Sequence, residues 1–199
     1  MITERPRFIN EEFYADAVAP ERYELLLADA WRHFGPHFFR YNFGIYEDEI
    51  RRVIPLRIRL ADFKLSKSQR RVLRRNANLD VSIGTYSITP ETHKLFERHK
   101  LRFKSGVPNT IYDFIARDAD SSPTELFEIK VRENERLVAA SFFDLAQRSV
   151  SAIYGCFDPE LPSRSLGIFT MLKVMEYATQ SGLAFYYHGY AYEGESFYD

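Results

Sequence analysis

A chain of 199 residues has room for one large domain or two small ones with a shared core, which excludes solenoids and modular arrays. Hydrophobic residues make up 45%, aromatic residues 16% and charged residues 28%, so the chain is not disordered but has the composition of a water-soluble globular protein. No stretch approaches the roughly 20 apolar residues of a membrane helix, and acidic residues stand near the amino terminus where a signal peptide has an apolar core. We therefore expect a cytoplasmic protein.

Few residues are available for metal binding. The single cysteine, Cys156, excludes an internal disulfide and any metal or iron–sulfur site built on thiolates. His93 and His99 are too far apart in sequence to share a helix face as ligands. We predict no metal and no cofactor.

Positive charge is concentrated in one segment. The formal net charge is −1, yet residues 51–75 contain ten arginine or lysine residues and one acid, Asp62, so this segment is +9 and the remainder is −10. Such a field attracts phosphate backbones or acidic peptides, and arginine favours two-pronged contacts with both. The alternative is a solvated helix face, which is what most charge runs are.

The first predicted helix begins at Pro20 and carries an apolar stripe that runs to Phe34, and Arg32, His33 and Gly35 are predicted to close it. An irregular aromatic stretch follows. From Val53 to Leu60 apolar residues alternate with arginines, which predicts a strand whose basic side chains point away from the core.

Two further helices follow this strand. Ser66 and Gln69 have the spacing of a capping box, and the helix that they open, from Gln69 to about Asn78, is so rich in arginine that it must lie on the surface. Thr89, Pro90 and Glu91 begin the next helix, which runs through His99, and a fourth is predicted from Asn109 to Arg117. The segment from Leu101 to Asn109 is the predicted join between a basic region, 1–100, and a second domain, 101–199.

The carboxyl-terminal half reads strand, strand, strand, turn, helix, strand. Phe127 to Val131 and Leu137 to Leu145 alternate in polarity around a polar turn, which predicts an antiparallel hairpin. A third strand, Val150 to Phe157, leads through Arg164-Ser165-Leu166-Gly167 into a helix that closes at Ser181-Gly182, and an aromatic strand, Ala184 to Tyr190, ends the pattern.

The turn before this helix is the candidate site. A helix amino terminus presents free backbone N–H groups and the positive end of the helix dipole, so it suits an anion or a carbonyl oxygen. Gly167 is expected to let a ligand approach the backbone closely. In N-acyltransferases of the GNAT class, a turn at this place in the strand order cradles phosphate, and the acceptor amine lies beside it.

Two blocks of the sequence carry a resemblance. The first comprises Val53-Pro55-Leu56-Arg57 and Ser66-Lys67-Ser68-Gln69-Arg70-Arg71-Val72-Leu73-Arg74-Arg75-Asn76; the second comprises Leu137-Val138-Ala139-Ala140-Ser141, Asp144, Ser151 to Tyr154, Phe157-Asp158-Pro159-Glu160, Arg164-Ser165-Leu166-Gly167, Gly182-Leu183 and Tyr186-Tyr187-His188-Gly189-Tyr190. In this order they resemble the arginyl-tRNA protein transferase family, including the bacterial branch that transfers leucine. The blocks span most of Val53 to Tyr190.

The resemblance implies an enzyme that moves arginine or leucine from its tRNA to the α-amine of a protein beginning with Asp, Glu or oxidised Cys, which marks that protein for degradation in the N-degron pathway. It implies an α/β (α+β) fold with a GNAT-like transferase core and a smaller basic amino-terminal region. Aminoacyl-tRNA is then a co-substrate, the acidic amino terminus of a protein is the partner, and no cofactor or membrane is involved.

Roles for individual residues follow from the same resemblance. We expect Asp144 to orient the α-amine and the backbone at Ser165 and Gly167 to receive the oxyanion. Tyrosines are expected to line the aminoacyl-adenosine pocket and relay protons. The catalytic candidates are Asp144, Tyr154, Ser165, Gly167 and Tyr190, and the candidates for binding substrate or tRNA are Lys64, Lys67, Arg70, Arg71, Arg74, Arg75, Arg164, Leu166 and Tyr187.

The chain departs from the family pattern in three places. Phe38 to Arg52 lacks the cysteines that the family carries for a metal or iron–sulfur cluster, so we expect that function to be absent. His188 stands where the family has leucine. The family also continues past Asp199 into a Tyr-Lys stretch, and a strand missing there would leave the active site incomplete.

Two other functions stay open. A small-molecule N-acyltransferase would grip the pyrophosphate of acyl-coenzyme A at the turn from Ser165 to Gly167. A non-catalytic relative would recognise acidic amino termini or RNA without turnover. Turnover with aminoacyl-tRNA and a thermal shift with coenzyme A separate the three.

Overall fold

A computed structural model describes residues 7–46, 48–104 and 106–194. Its described strands are β1 (Asn10–Tyr14), β2 (Arg32–Phe34), β3 (His37–Tyr41), β4 (Phe43–Tyr46), β5 (Glu49–Arg59), β6 (Asp80–Thr85), β7 (Glu125–Glu133), β8 (Arg136–Leu145), β9 (Ser149–Phe157) and β10 (Phe185–Tyr192). Its helices are α1 (Pro20–Ala28), α2 (Lys67–Arg75), α3 (Pro90–Lys100) and α4 (Leu166–Gln180), with short 3-10 turns between elements. No helix in these ranges is long and apolar enough to cross a membrane.

Seven strands form the main sheet, in the order β4-β5-β10-β9-β8-β7-β6, and a smaller sheet has the order β1-β3-β2. Neighbouring strands of the main sheet are antiparallel except β9 and β10, which are parallel. Strands from the first hundred residues form both edges of this sheet, and β7 to β10 form its centre. The regions 1–100 and 101–199 therefore share one sheet.

Helices cover both faces of the main sheet. On one face α4 packs through Val174 and Met175 against Phe143 and Val150, with α2 beside it. On the other face α3 buries Leu95 and Phe96, and α1 covers the part of the sheet around Tyr187. The alternation of apolar residues along the strands produces this arrangement because successive side chains point to opposite faces.

The sheet opens between its two parallel strands. β9 and β10 pair only from Phe185 to Tyr187, opposite Ser149 to Ser151. Just beyond this point β10 has an irregularity between Tyr187 and Gly189, and the pairing of β8 with β9 shifts register at the same level. The rest of the two strands is not paired across this gap, which we call the split.

The sequence predicted most elements correctly. The capping box of α2, the Thr89 cap of α3, the β7–β8 hairpin and the strand and helix that follow are all confirmed. The prediction of a fourth helix was wrong: in place of a helix from Asn109 to Arg117 there is a 3-10 turn, Ile111–Asp113.

The first helix also ends earlier than predicted. α1 stops at Ala28 because the N–H of Ala30 bonds to Leu27 O and the N–H of Trp31 bonds to Leu26 O, the pair that defines a Schellman motif. Ala30 has φ 67°, in the left-handed region. The residues that follow enter β2, so the aromatic stripe that looked helical belongs partly to a strand.

Ala30→Gly is expected to stabilise the fold by about 1 kcal/mol. A residue with a Cβ is strained in the left-handed region, and glycine removes that strain, although it adds entropy to the unfolded chain. Urea denaturation of the two proteins measures the difference. A variant that is less stable than the parent chain would show that the Ala30 methyl group contributes packing that outweighs its backbone strain.

Candidate functional site

The turn that leads from β9 into α4 places a helix amino terminus beyond the carboxyl end of a central strand of the sheet. Ser165 caps α4 with φ 52°, and its side chain makes no capping hydrogen bond. The first backbone N–H groups of α4, at Leu166, Gly167 and Ile168, have no acceptor within the helix because the preceding turn is missing. The side chain of Leu166 is buried in the core, so only its backbone faces the turn.

Gly167 serves packing and not close approach of a ligand. A Cβ at this position would lie 3.0 Å from Cε1 of Phe157, so the ring already occupies the space beside Gly167 that was expected to admit a ligand. That expectation was wrong. The N–H groups of the first turn point along the helix axis, away from this contact, and are unaffected by it.

The arginine-rich helix lies against this turn. Arg75 donates to the carbonyl of Ser163, Arg164 donates to the carbonyl of Arg75 at 2.8 Å, and Asn76 donates to the carbonyl of Arg164 at 2.8 Å. Arg164 also pairs with Glu133. Arg75 and Arg164 therefore join α2 to the turn, and the two features that the sequence singled out lie side by side.

The remaining cations of this helix face solvent. Arg70 donates to the carbonyl of Leu65 at 2.5 Å, which turns its guanidinium towards the segment before the helix. Four exposed side chains form no ion pair or side-chain hydrogen bond within the described ranges: Lys64, Lys67, Arg71 and Arg74. We call these four residues the free cationic face.

Tyr154 lies on β9 beside the split. Its ring stacks on Phe114 with centroids 4.0 Å apart. Burial raises the pKa of Tyr154, and its hydroxyl has no hydrogen-bond partner among the described residues. The structure therefore leaves this hydroxyl as a neutral donor.

Tyr187 and Tyr190 surround Arg32, which begins β2 and does not lie at the end of the first helix as predicted. The guanidinium carbon of Arg32 lies 5.0 Å from the ring centre of Tyr187 and 5.5 Å from that of Tyr190. The hydroxyl of Tyr190 donates to the carbonyl of Ala30 at 2.5 Å, and burial raises the pKa of Tyr190 to about 12. The only sequence signal for Arg32 was a basic residue inside an aromatic stripe.

Asp144 lies far from the turn. It is fully buried and accepts hydrogen bonds from Tyr23 at 3.0 Å, from His33 Nε2 at 2.7 Å and from Thr124 at 2.8 Å. Its partner on β9 is Ser151, six positions before Phe157, so about 20 Å of strand separates it from the end of β9, where the turn begins. This carboxylate joins α1 and β2 to the main sheet and is not placed to orient an amine at the turn.

His99 holds the end of β9 and makes stability depend on pH. Its Nδ1 lies 3.1 Å from the carbonyl oxygen and 3.2 Å from the nitrogen of Phe157, and burial lowers the pKa of His99 to about 4. The folded protein therefore disfavours the proton that the unfolded chain binds near pH 6.5. The contribution of neutral His99 is complete above pH 6.5 and declines as the pH falls towards 4.

When the pH falls from 7 to 5, we expect protonation linked to His99 to lower the free energy of unfolding by about 1–2 kcal/mol. Urea denaturation at both pH values measures the loss, and His99→Gln should show a smaller one because glutamine does not titrate. Equal losses in the two proteins would assign the pH dependence to other groups.

Metal-binding side chains are sparse in the part of the chain that the structure describes: no three His, Cys, Asp or Glu side chains lie close enough to hold an ion. Cys156 is buried, and burial raises its pKa to about 12. Its thiol is therefore protonated and unreactive near neutral pH.

Solved structures define the class of fold. The chain is similar to the C-terminal domain of a putative lysylphosphatidylglycerol synthetase from Agrobacterium fabrum, with TM-score 0.54 and 15% identity over 71% of this chain and 48% of that one. L-PGS from Bacillus licheniformis gives TM-score 0.57 and 12% identity over 94% and 55%, and FemX gives 0.55 and 11% over 95% and 65%. With its split sheet, the protein has a GNAT-like α/β fold.

The family follows from sequence. Residues 80–196 match the model described as "Arginine-tRNA-protein transferase, C terminus", and the chain belongs to this family. Aspartate/glutamate leucyltransferase of Paramagnetospirillum magneticum is 35% identical over 72% of this chain and 59% of its own length. That of Gluconacetobacter diazotrophicus is 33% identical over 69% and 54%. The chain thus spans little more than half the length of these relatives.

Proposed function

We propose that the protein transfers an amino acid from aminoacyl-tRNA to the α-amine of a protein that begins with Asp or Glu. Family membership and the names of the relatives, aspartate/glutamate leucyltransferases, support this. Those names favour leucine over arginine as the donated residue. The reaction takes place in the cytoplasm, where charged tRNA is found, and it marks the acceptor for degradation.

The observation that carries the proposal is the contact between α2 and the turn before α4. Arg75 and Arg164 join the two elements, and the free cationic face extends from this junction. A phosphate backbone that binds the exposed lysines and arginines would bring its end to the helix amino terminus. An acyl donor without a polyanionic carrier needs no such face.

The reaction mainly requires the protein to position the amine and the ester. The ester of an aminoacyl-tRNA is already activated, and an α-amine with a pKa near 7.7–8.0 is partly neutral at pH 7. The amine attacks the ester carbonyl, a tetrahedral intermediate forms, and the tRNA ribose hydroxyl leaves with the proton that the amine loses. Alignment of amine and ester removes most of the entropic barrier. The free N–H groups of α4 are suited to receive the oxyanion.

Turnover with labelled charged tRNA tests the proposal. The protein is incubated with Leu-tRNA or Arg-tRNA and with peptides that begin with Asp, Glu or Ala and are otherwise identical. We expect label only in the Asp and Glu peptides, and more from Leu-tRNA. Absence of transfer from both tRNAs, with a thermal shift on addition of coenzyme A, would replace the proposal by an acyl-coenzyme A transferase.

A further inference from the structure

A small cavity of about 190 Å³ lies over β5 and β10, on the face of the sheet that α1 covers. Its lining comes from the end of α1, the segment after it, β2, β5 and β10: Leu27, Ala28, Ala30, Arg32, Pro55, Leu56, Arg57 and Tyr187. The side chains of Ala28, Pro55 and Arg57 are exposed, whereas Leu27, Arg32 and Tyr187 are buried. The cavity therefore opens to solvent and has a cation in its depth.

The buried cation has no anion. Arg32 is 5% exposed, donates to the carbonyl oxygens of Trp31 at 2.6 Å and Leu27 at 3.4 Å, and leaves its Nε without a partner among the described residues. No carboxylate in the described ranges pairs with it. A guanidinium is costly to bury unless it is paired, and burial lowers the pKa of Arg32 accordingly.

A second guanidinium stands at the rim. Arg57 lies over the rings of Phe185 at 4.5 Å and Tyr187 at 5.9 Å, and it donates to the hydroxyl of Tyr187 at 3.4 Å. Like Arg32, Arg57 forms no ion pair with any described residue. Two cations directed at one tyrosine, with no acid between them, create a site for an anionic group.

The size of the cavity limits the ligand. Pockets for drug-sized molecules occupy about 300–1,000 Å³, so a cavity of about 190 Å³ takes a short side chain and not a nucleoside. A planar carboxylate matches the fork of a guanidinium. Phosphates of tRNA can instead bind the free cationic face, which lies on the opposite side of the sheet, on α2 and the segment before it.

We propose that Arg32 and Arg57 bind the side-chain carboxylate of the acceptor protein's first residue. This inference rests on the proposed function and assigns its choice of acidic acceptors to a particular pocket. Tyr187 is the last residue of β10 that pairs with β9, opposite Ser151, so a carboxylate held beside it lies near the closed end of the split. The contact then gives specificity for an acidic first residue.

Peptide binding, measured without tRNA, tests the pocket separately from the transfer reaction. Isothermal titration compares peptides that begin with Asp or Glu with the matching Asn and Gln peptides. We expect Arg57→Gln to weaken binding of the acidic peptides about tenfold, the effect of losing one charge-assisted contact, and to leave the amide peptides unchanged. Arg59→Gln is the matched control, since it removes the same charge two positions along the same strand, where Arg59 is exposed and faces Asp62.

Two further variants distinguish the possible failures. Arg32→Gln, checked for folding by circular dichroism, should abolish the preference for acidic over amide peptides, and Arg57→Glu should shift preference towards a peptide that begins with Lys. If Arg57→Gln and Arg59→Gln weaken binding of the acidic peptides equally, the pocket assignment is overturned. Acidic-peptide binding that depends on Arg57, without transfer from any tRNA, would uphold the pocket and overturn the proposed reaction.

Discussion

Arg71→Glu combined with Arg74→Glu is expected to weaken binding of aminoacyl-tRNA about 100-fold at low salt. Both side chains belong to the free cationic face, so the exchange removes two phosphate contacts and adds two repulsions. The slope of log affinity against log salt should fall by about two, because each lost contact releases one counterion fewer. Filter binding between 50 and 200 mM salt measures both quantities.

The fold should survive this double exchange. Neither guanidinium makes a side-chain hydrogen bond or ion pair within the described ranges, and Arg75, which joins α2 to the turn, is left in place. The matched control is Lys94→Glu with Arg148→Glu, which makes the same change of charge at two exposed positions elsewhere, on α3 and in the turn between β8 and β9. Equal loss of affinity in the two proteins would show that net charge and not the position of α2 governs binding.

Local signals predicted the elements well, because their causes lie within a few residues. The capping box at Ser66 and Gln69 determines where α2 begins, and the hairpin turn is formed by Asn134 and Glu135, both with positive φ. Alternation of polarity predicted the central strands since each has a face against a helix. These features need no knowledge of the rest of the chain.

The small sheet of β1, β2 and β3 could not be predicted from such local signals. Trp31 and Phe34 continue the apolar spacing of α1, yet a Schellman motif at Ala30 ends the helix and directs the chain into β2. An alanine in the left-handed region gives no warning, whereas a glycine there would have marked the helix end. The prediction of a longer helix failed on this one residue.

The candidate site was visible in part for a similar reason. The basic helix and the turn before α4 are each formed by one continuous segment of the sequence, and the family resemblance identified both segments. The cavity around Arg32 is formed by α1, β2, β5 and β10, whose residues lie as far apart in sequence as Leu27 and Tyr187. Contacts between residues so far apart in sequence depend on the strand order, and hydrophobic periodicity does not predict the strand order.

Asp144→Ala is expected to cost about 3–5 kcal/mol of stability, a large part of what a domain of this size has. The exchange would leave the donors of Tyr23, His33 and Thr124 buried without their acceptor. Asp144→Asn should cost about 1–2 kcal/mol, since an amide keeps the shape and some of the hydrogen bonds. Urea denaturation of the three proteins measures these differences.

The same pair of variants separates a structural role from a catalytic one. Burial alone would lower the pKa of His33, but the Asp144 carboxylate and the Gly35 carbonyl outweigh it and raise that pKa. Stabilisation by protonated His33 is therefore complete below pH 6.5 and is lost as the pH rises through the raised value. In Asp144→Asn this loss between pH 6 and pH 9 should vanish.

Transfer by the folded Asp144→Asn protein completes the test. Because about 20 Å of strand separates this carboxylate from the turn and its oxygens are occupied by three donors, we expect the rate per folded molecule to stay within about threefold of the parent chain. A protein that keeps its stability and its pH dependence but loses transfer would instead assign Asp144 to the reaction, as the sequence analysis had done.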